Sequence, residues 1–253
     1  MTLLYKGKAK ELHTVKDAGL LRMLFCDDTS AFDGKKTDQL AGKGRLNGLF
    51  NWHIMQLLRS NNVHTCMVDK LSDTEYLVAQ LKMFKVEVIV RNDATGSFCR
   101  RYGSEFELTQ FDPPLVEFCY KSDEHGDPLI NMPAIVALGL ATKEELLTMQ
   151  DLALHINSVL RRFFGQRKLN LVDFKLEFGT TTHPYKVQGE DRAPAGFGWT
   201  EDVLMLGDEF SLDSCRLWTK EGRGERWWRW IRHDLGPVIE GYQEALDAVT
   251  GGL

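Results

Sequence analysis

Apolar and polar side chains alternate in short bursts near the start of the chain, which predicts strands at 3–6, 9–15 and 21–26, the first two separated by the Gly7 region. The period then lengthens. Over residues 43–60, Leu46, Leu49, Phe50, Ile54, Leu57 and Leu58 recur at helical spacing. Two strand-like runs follow, 74–81 and 83–91, the second placing Val86, Val88 and Val90 on one face and Glu87, Ile89 and Arg91 on the other. A helix over 143–164 carries the stripe Leu146, Leu147, Leu152, Ile156, Val159, Leu160 and Phe163. Thr142 is its expected N-cap, with Glu145 three residues on as the partner in a capping box. The segment LVDFKLEFG, 171–179, alternates again and predicts a strand at 171–178. The stretch 180–201 reads as a long loop, and VLML at 203–206 as a strand pairing back onto 171–178. Helices are expected around 224–235 and from Pro237, the latter with Val238, Ile239, Tyr242, Leu246 and Val249 on one side. Strands and helices do not alternate regularly, so the expected class is α+β rather than a doubly wound sheet.

Composition narrows the function more than the fold. With 253 residues and 43% hydrophobic content, the chain can bury a large core as one big domain or two lobes. A net charge of −5 argues against a dedicated nucleic-acid binder, yet leaves room for an anionic small substrate held by a local Lys/Arg cluster. The five cysteines are odd in number, scattered and without a CxxC pair, so free thiols in a reducing compartment are expected. The N-terminal stretch is too charged for a signal peptide and no run approaches 18 apolar residues, which makes a cytoplasmic protein the expectation. No HExxH or GxSxG motif occurs.

Several segments carry candidate chemistry, each with a plainer alternative. In YKGKAKEL, Lys8 and Lys10 point the same way if the segment is a strand, an arrangement suited to a polyphosphate or simply to a solvated hairpin. In LGDEFSLDSCRLW, Asp208 and Glu209 follow a glycine turn. Asp208 with Glu177 meets the usual magnesium demand for one or two protein carboxylates, and Arg216 is placed to fork onto phosphate. The alternative is a turn with exposed acids. VRNDATGS places Arg91 at a strand end before Thr95-Gly96-Ser97, a phosphate-binding corner or a polar loop. ERWWRWIRHDL, 225–235, interleaves tryptophan with arginine and reads as a core-packing or dimer-contact helix rather than a nucleic-acid or membrane surface. In 171–178, Asp173, Lys175 and Glu177 share one strand face.

YKGKAKEL, TSAFDG, AGKGRLN, VEVIVRNDATGS, LVDFKLEFG and LGDEFSLDSCRLW occur in the order of the motifs of the SAICAR synthetase family, and the chain resembles that family from residue 4 to about 246. The resemblance implies an ATP-dependent ligase joining CAIR to L-aspartate through an acyl phosphate. It implies a two-lobed α+β fold, with an N-terminal ATP lobe at 1–82 and a larger lobe at 83–253 that completes the sites. By motif match it implies Lys8, Lys10 and Lys82 on ATP, Glu177 on ATP and magnesium, and Asp208 on magnesium. Arg91, Ser97 and Arg216 fall on the CAIR phosphate. Lys175 falls near CAIR or the developing acyl phosphate, with Asp173 orienting it or substrate hydroxyls. Lys121 and Asp33 assist CAIR carboxylate or aspartate binding. Partners implied are ATP, CAIR and L-aspartate; the Trp-rich helix, read as a dimer contact, is what points to a homodimer. The chain differs from the family pattern at His125, displaced by one residue, at Leu212 in place of proline, and in a longer 180–202 loop. Those differences leave two rivals: a ligase using another amine or imidazole nucleotide, and a silent nucleotide-binding regulator.

Overall fold

Leu21, Met23 and Phe25 alternate with less buried neighbours along strand β3 (Leu20–Phe25), and that alternation sets the inner face of the first sheet. The computed structural model describes residues 1–7, 9–17, 19–31, 36–181, 203–219 and 238–251. Within them, β1 (Leu3–Lys6), β2 (Lys10–Thr14), β3, β6 (Met67–Lys70) and β7 (Glu75–Ala79) form an antiparallel sheet in the order β1-β2-β3-β7-β6. A separate hairpin joins β4 (Asp28–Ala31) to β5 (Lys36–Gln39). Helix α1 (Lys43–Arg59) lies against this sheet, burying Leu46, Phe50, Ile54, Met55 and Leu58. Gly44 makes the close approach possible, because a Cβ there would stand 2.7 Å from the Phe25 carbonyl oxygen. The first turn of α1 is held by Asp27, whose two carboxylate oxygens accept the Gly42 and Gly44 N–H groups at 3.0 and 2.8 Å.

The described residues divide into two compact units. One holds 1–83, 178–181, 203–211 and 238–251; the other holds 84–177 and 212–219. The first segment ends at Met83, beside the expected 82/83 division, but the chain then returns to the first unit twice. Helix α5 (Val238–Thr250) belongs to the first unit and packs on α1, with Tyr242, Ala245, Leu246 and Val249 buried.

In the second unit, β8 (Lys82–Asp93) pairs with β9 (Gln110–Tyr120) in antiparallel register, Val86 opposite Tyr120 and Arg91 opposite Leu115. On its other side β8 neighbours β10 (Leu169–Thr181). Short helices α2 (Ser97–Tyr102) and α3 (Met132–Ala137) connect to α4 (Lys143–Gln166). The Thr142 hydroxyl accepts the Glu145 N–H at 3.1 Å, and the Glu145 carboxylate accepts the Thr142 N–H at 2.7 Å, closing the expected box. The buried stripe of α4 includes Leu146, Ile156, Val159, Leu160 and Phe164, and leaves Leu147 exposed. Asn157 of that helix exchanges two amide hydrogen bonds with Asn92 of β8, at 2.8 and 2.9 Å.

One expectation for 171–206 needs correction. The strand β11 (Val203–Leu206) pairs with Phe178–Thr181, only the last part of the longer β10. The partner of residues 169–174 is β12 (Cys215–Thr219), which the pattern did not anticipate. Strand β10 is largely enclosed: from Leu171 to Gly179 only Lys175 is exposed. The rest of the expected loop, 182–201, and the Trp-rich segment 224–235 lie outside the described residues.

Candidate functional site

Buried charge in the second unit gathers around one arginine. Arg91 on β8 is 2% exposed, and each nitrogen of its guanidinium donates to a different side chain. Its Nε donates to Glu117 at 2.6 Å, Nη1 to Asp173 at 2.9 Å and Nη2 to the Ser97 hydroxyl at 2.9 Å. Asp173 of β10 also receives Arg216 of β12 through a side-on fork, Nε at 2.6 Å to one oxygen and Nη2 to the other. The β10–β12 register explains the second contact, since Asp173 and Arg216 are direct cross-strand partners. Arg101 of α2 closes the network by donating to the other oxygen of Glu117 at 2.5 Å. Three guanidiniums thus face two carboxylates, leaving one positive charge in excess. Such an arrangement is suited to an anion, because the carboxylates hold the cations apart and fixed while the surplus charge stays available.

Gly96 gives this corner its shape. Its φ of +58° and ψ of −120° are open to glycine alone, and a Cβ at that position would sit 2.4 Å from Nη1 of Arg216. Arg91, Ser97 and Arg216, singled out on separate motifs, are therefore brought together. Asp173 is brought to the same place, but as the holder of two arginines rather than the orienter of Lys175.

Lys175 instead donates to Glu87 of β8 at 3.0 Å. Burial would lower its pKa, but the charge and hydrogen bond of Glu87, with Glu177 and Asp127 nearby, raise it above the ordinary lysine value. Lys121 forms an ion pair with Glu177, whose side chain is buried. His125 accepts or donates at Nδ1 with the Ser122 hydroxyl, 2.8 Å away, and lies at the surface.

In the first unit, the buried Lys10 ammonium sits between the carboxylates of Asp208 and Glu209. Asp208 has a φ of +55°, one of five non-glycine residues with positive φ among those described. The turn that carries it is tied down on both sides: Leu206 exchanges backbone bonds with His64 and Cys66, and the Phe210 N–H donates to Asn51 of α1 at 2.8 Å. Lys82 begins β8 and is exposed. Lys8 and Asp33 lie outside the described residues. Among the described residues no three metal-ligating side chains converge.

Three participants escaped the sequence reading. Glu87 was visible only as one polar position in an alternating strand. Arg101 had no motif of its own. Glu117 follows Pro113 and Pro114, which disguise the first half of β9 as a loop, although Gln110 pairs with Asp93 of β8 and, past a register shift, the ladder runs on from Leu115.

The family model described as SAICAR synthetase matches residues 3–187 and 195–249. The phosphoribosylaminoimidazole-succinocarboxamide synthase of Psychrobacter sp. is 42% identical over 247 residues, covering 98% of this chain and 95% of its own length. That of Pseudomonas putida is 44% identical over 241 residues, covering 95% and 94%. Among solved structures, the synthase of the same name from Ehrlichia chaffeensis superposes with a TM-score of 0.87 at 32% identity, over 98% of both chains. A SAICAR synthetase in complex with ADP gives 0.81 at 33% identity, over 98% of this chain and 97% of the other.

Proposed function

The chain belongs to the SAICAR synthetase family, and from that premise we propose how its described clusters divide the work of one ligation. It is an ATP-dependent ligase of purine biosynthesis that joins CAIR to L-aspartate, giving SAICAR, ADP and phosphate. A carboxylate resists an amine because an oxide would have to leave. Transfer of the γ-phosphoryl group to the CAIR carboxylate oxygen releases ADP and makes an acyl phosphate. The aspartate amine then attacks the acyl carbon, the C–O bond to phosphate breaks, and the amine loses a proton. The protein's part is to align three anionic reactants and offset their charge.

The observation that carries the assignment is the Arg91 network. Of the five N–H groups of a guanidinium, Arg91 commits three to Glu117, Asp173 and Ser97 and keeps two. Arg216 commits two to Asp173 and keeps three. We assign these groups, with Ser97, to the CAIR phosphate. Lys175 is assigned to CAIR or the developing acyl phosphate, where its raised pKa keeps it cationic. Asp173 positions the two arginines. Lys121 and Asp33 are assigned to the CAIR carboxylate or aspartate.

Lys8, Lys10 and Lys82 are assigned to the ATP phosphates, with residues 1–82 as the ATP lobe and 83–253 completing the sites. Magnesium fits the first unit in that Asp208 and Glu209 already converge on a cation, the Lys10 ammonium. Asp208 and Glu177 are the carboxylates that would hold the metal, and Glu177 is assigned to ATP as well. When bound, the metal supplies charge neutralisation for the phosphates. Lys10 would then exchange its carboxylate partners for a phosphate. A cytoplasmic homodimer completes the proposal; none of the five cysteines is in a disulfide, and among the described residues no helix is long and apolar enough to cross a membrane.

The test is release of ADP and phosphate by purified protein. It should require CAIR, L-aspartate and magnesium together, and a panel of other amino acids should give little. Turnover without aspartate, or none with every substrate present, would overturn the proposal.

A further inference from the structure

Glu117 is 9% exposed and stands on β9 opposite Ile89, so it reaches Arg91 across the diagonal of the ladder. Its two oxygens do different things. Oε2 accepts the Nε–H of Arg91 at 2.6 Å, and Oε1 accepts Arg101 at 2.5 Å. Asp173, the other carboxylate on Arg91, is shared with Arg216. Glu117 is therefore the holder that binds Arg91 without also binding the second phosphate-side arginine, and Arg101 anchors it from α2.

We infer that Glu117 is a positioning residue for nucleotide recognition: it sets the orientation in which Arg91 presents its two remaining N–H groups, and Arg101 fixes Glu117. The inference rests on the assignment of Arg91 to the CAIR phosphate. Two effects oppose each other when Glu117 is neutralised. Loss of a negative charge beside the corner strengthens its pull on an anion. Glutamine has one acceptor oxygen where the carboxylate has two, so either Arg91 or its Arg101 anchor meets an NH2 donor instead, and the buried arginine loses its fixed angle. Positioning dominates, because a bidentate or convergent phosphate contact depends on the angle of a planar donor and not on charge alone.

The experiment compares CAIR with its nucleoside, which lacks the 5′-phosphate, at saturating ATP, magnesium and L-aspartate. Glu117→Gln should raise KM for CAIR about tenfold or more, the loss typical of a charge-assisted hydrogen bond. It should leave kcat, KM for ATP and the inhibition constant of the nucleoside nearly unchanged. A lowered KM for CAIR, or equal losses for nucleotide and nucleoside, would overturn the inference. Arg91→Lys tests the underlying assignment separately: if it leaves KM for CAIR alone, the phosphate reading fails. If Glu117→Gln does not fold, Arg101→Ala reads the same link from the surface, where the side chain is 30% exposed. A rise in KM for CAIR without a change for the nucleoside supports the inference, and an unchanged KM overturns it.

Discussion

Burying a guanidinium costs several kcal/mol unless its charge and N–H groups are met, and Arg91 meets that condition with two carboxylates and a hydroxyl. The same logic makes Gly96 sensitive. Gly96→Ala puts a methyl group within 2.4 Å of Arg216 on a backbone with φ +58°, so both strain and displacement follow. We expect KM for CAIR to rise about tenfold or more with near-normal far-UV circular dichroism, since a strain of about 1–3 kcal/mol is local. Asp208→Asn is the opposite kind of change. Asparagine tolerates the left-handed backbone that Asp208 adopts at φ +55°, so the turn should survive. Turnover should nevertheless fall by about a hundredfold or more, with magnesium and phosphate charge stabilisation lost together. Near-normal kcat would refute Asp208 as a metal ligand. Before folding, none of these residues announces its partner: Arg91 and Asp173 are 82 positions apart along the chain.

Helix α4 shows what an element can declare on its own. Its stripe, its N-cap and its box partner are all local, and all were legible. Thr142→Ala should cost about 1 kcal/mol, a fall in Tm of about 2–4 °C for a chain of this size by calorimetry. An unchanged Tm would mean that packing, not the cap, holds that end. Strand β10 shows the opposite. Its alternation predicted one apolar and one polar face, yet Asp173 and Glu177 are buried like the residues that flank them. The two acids of that face are buried because they meet arginine and lysine rather than water, while Lys175 between them stays exposed. Periodicity registers only which residues share a side. What covers that side is decided by β8, β9 and β12, and two of those three were either disguised by proline or too short to read.

At the scale of the whole molecule, burial governs the thiols. Enclosure pushes Cys66 up to about 12 and Cys119 up to about 11, and raises Cys215 well above its ordinary value. A thiol with a raised folded pKa favours the folded state below the unfolded value of 9.0, and that advantage drains away as pH climbs toward the folded value. Lys175 has the same sign. The urea midpoint should therefore fall between pH 9 and 11, and these three cysteines should ignore a thiol reagent at pH 8 until the chain unfolds. Rapid labelling of the native protein would contradict the burial. The two compact units follow the same division between local and global: each is assembled from segments far apart in the chain, which no local pattern marks. Sequence by itself determined the α+β class, the helices now seen at Lys43–Arg59, Lys143–Gln166 and Val238–Thr250, and the first three strands. It also ordered the motifs that mark the family. Tertiary structure alone decided which carboxylate holds which cation: Asp173 to Arg91 and Arg216, Glu117 to Arg91 and Arg101, Glu87 to Lys175. The reason is physical. Periodicity is a property of a few consecutive residues, whereas an ion pair needs two groups within a few ångströms, and for these groups only the folding of distant strands into one sheet brings them there.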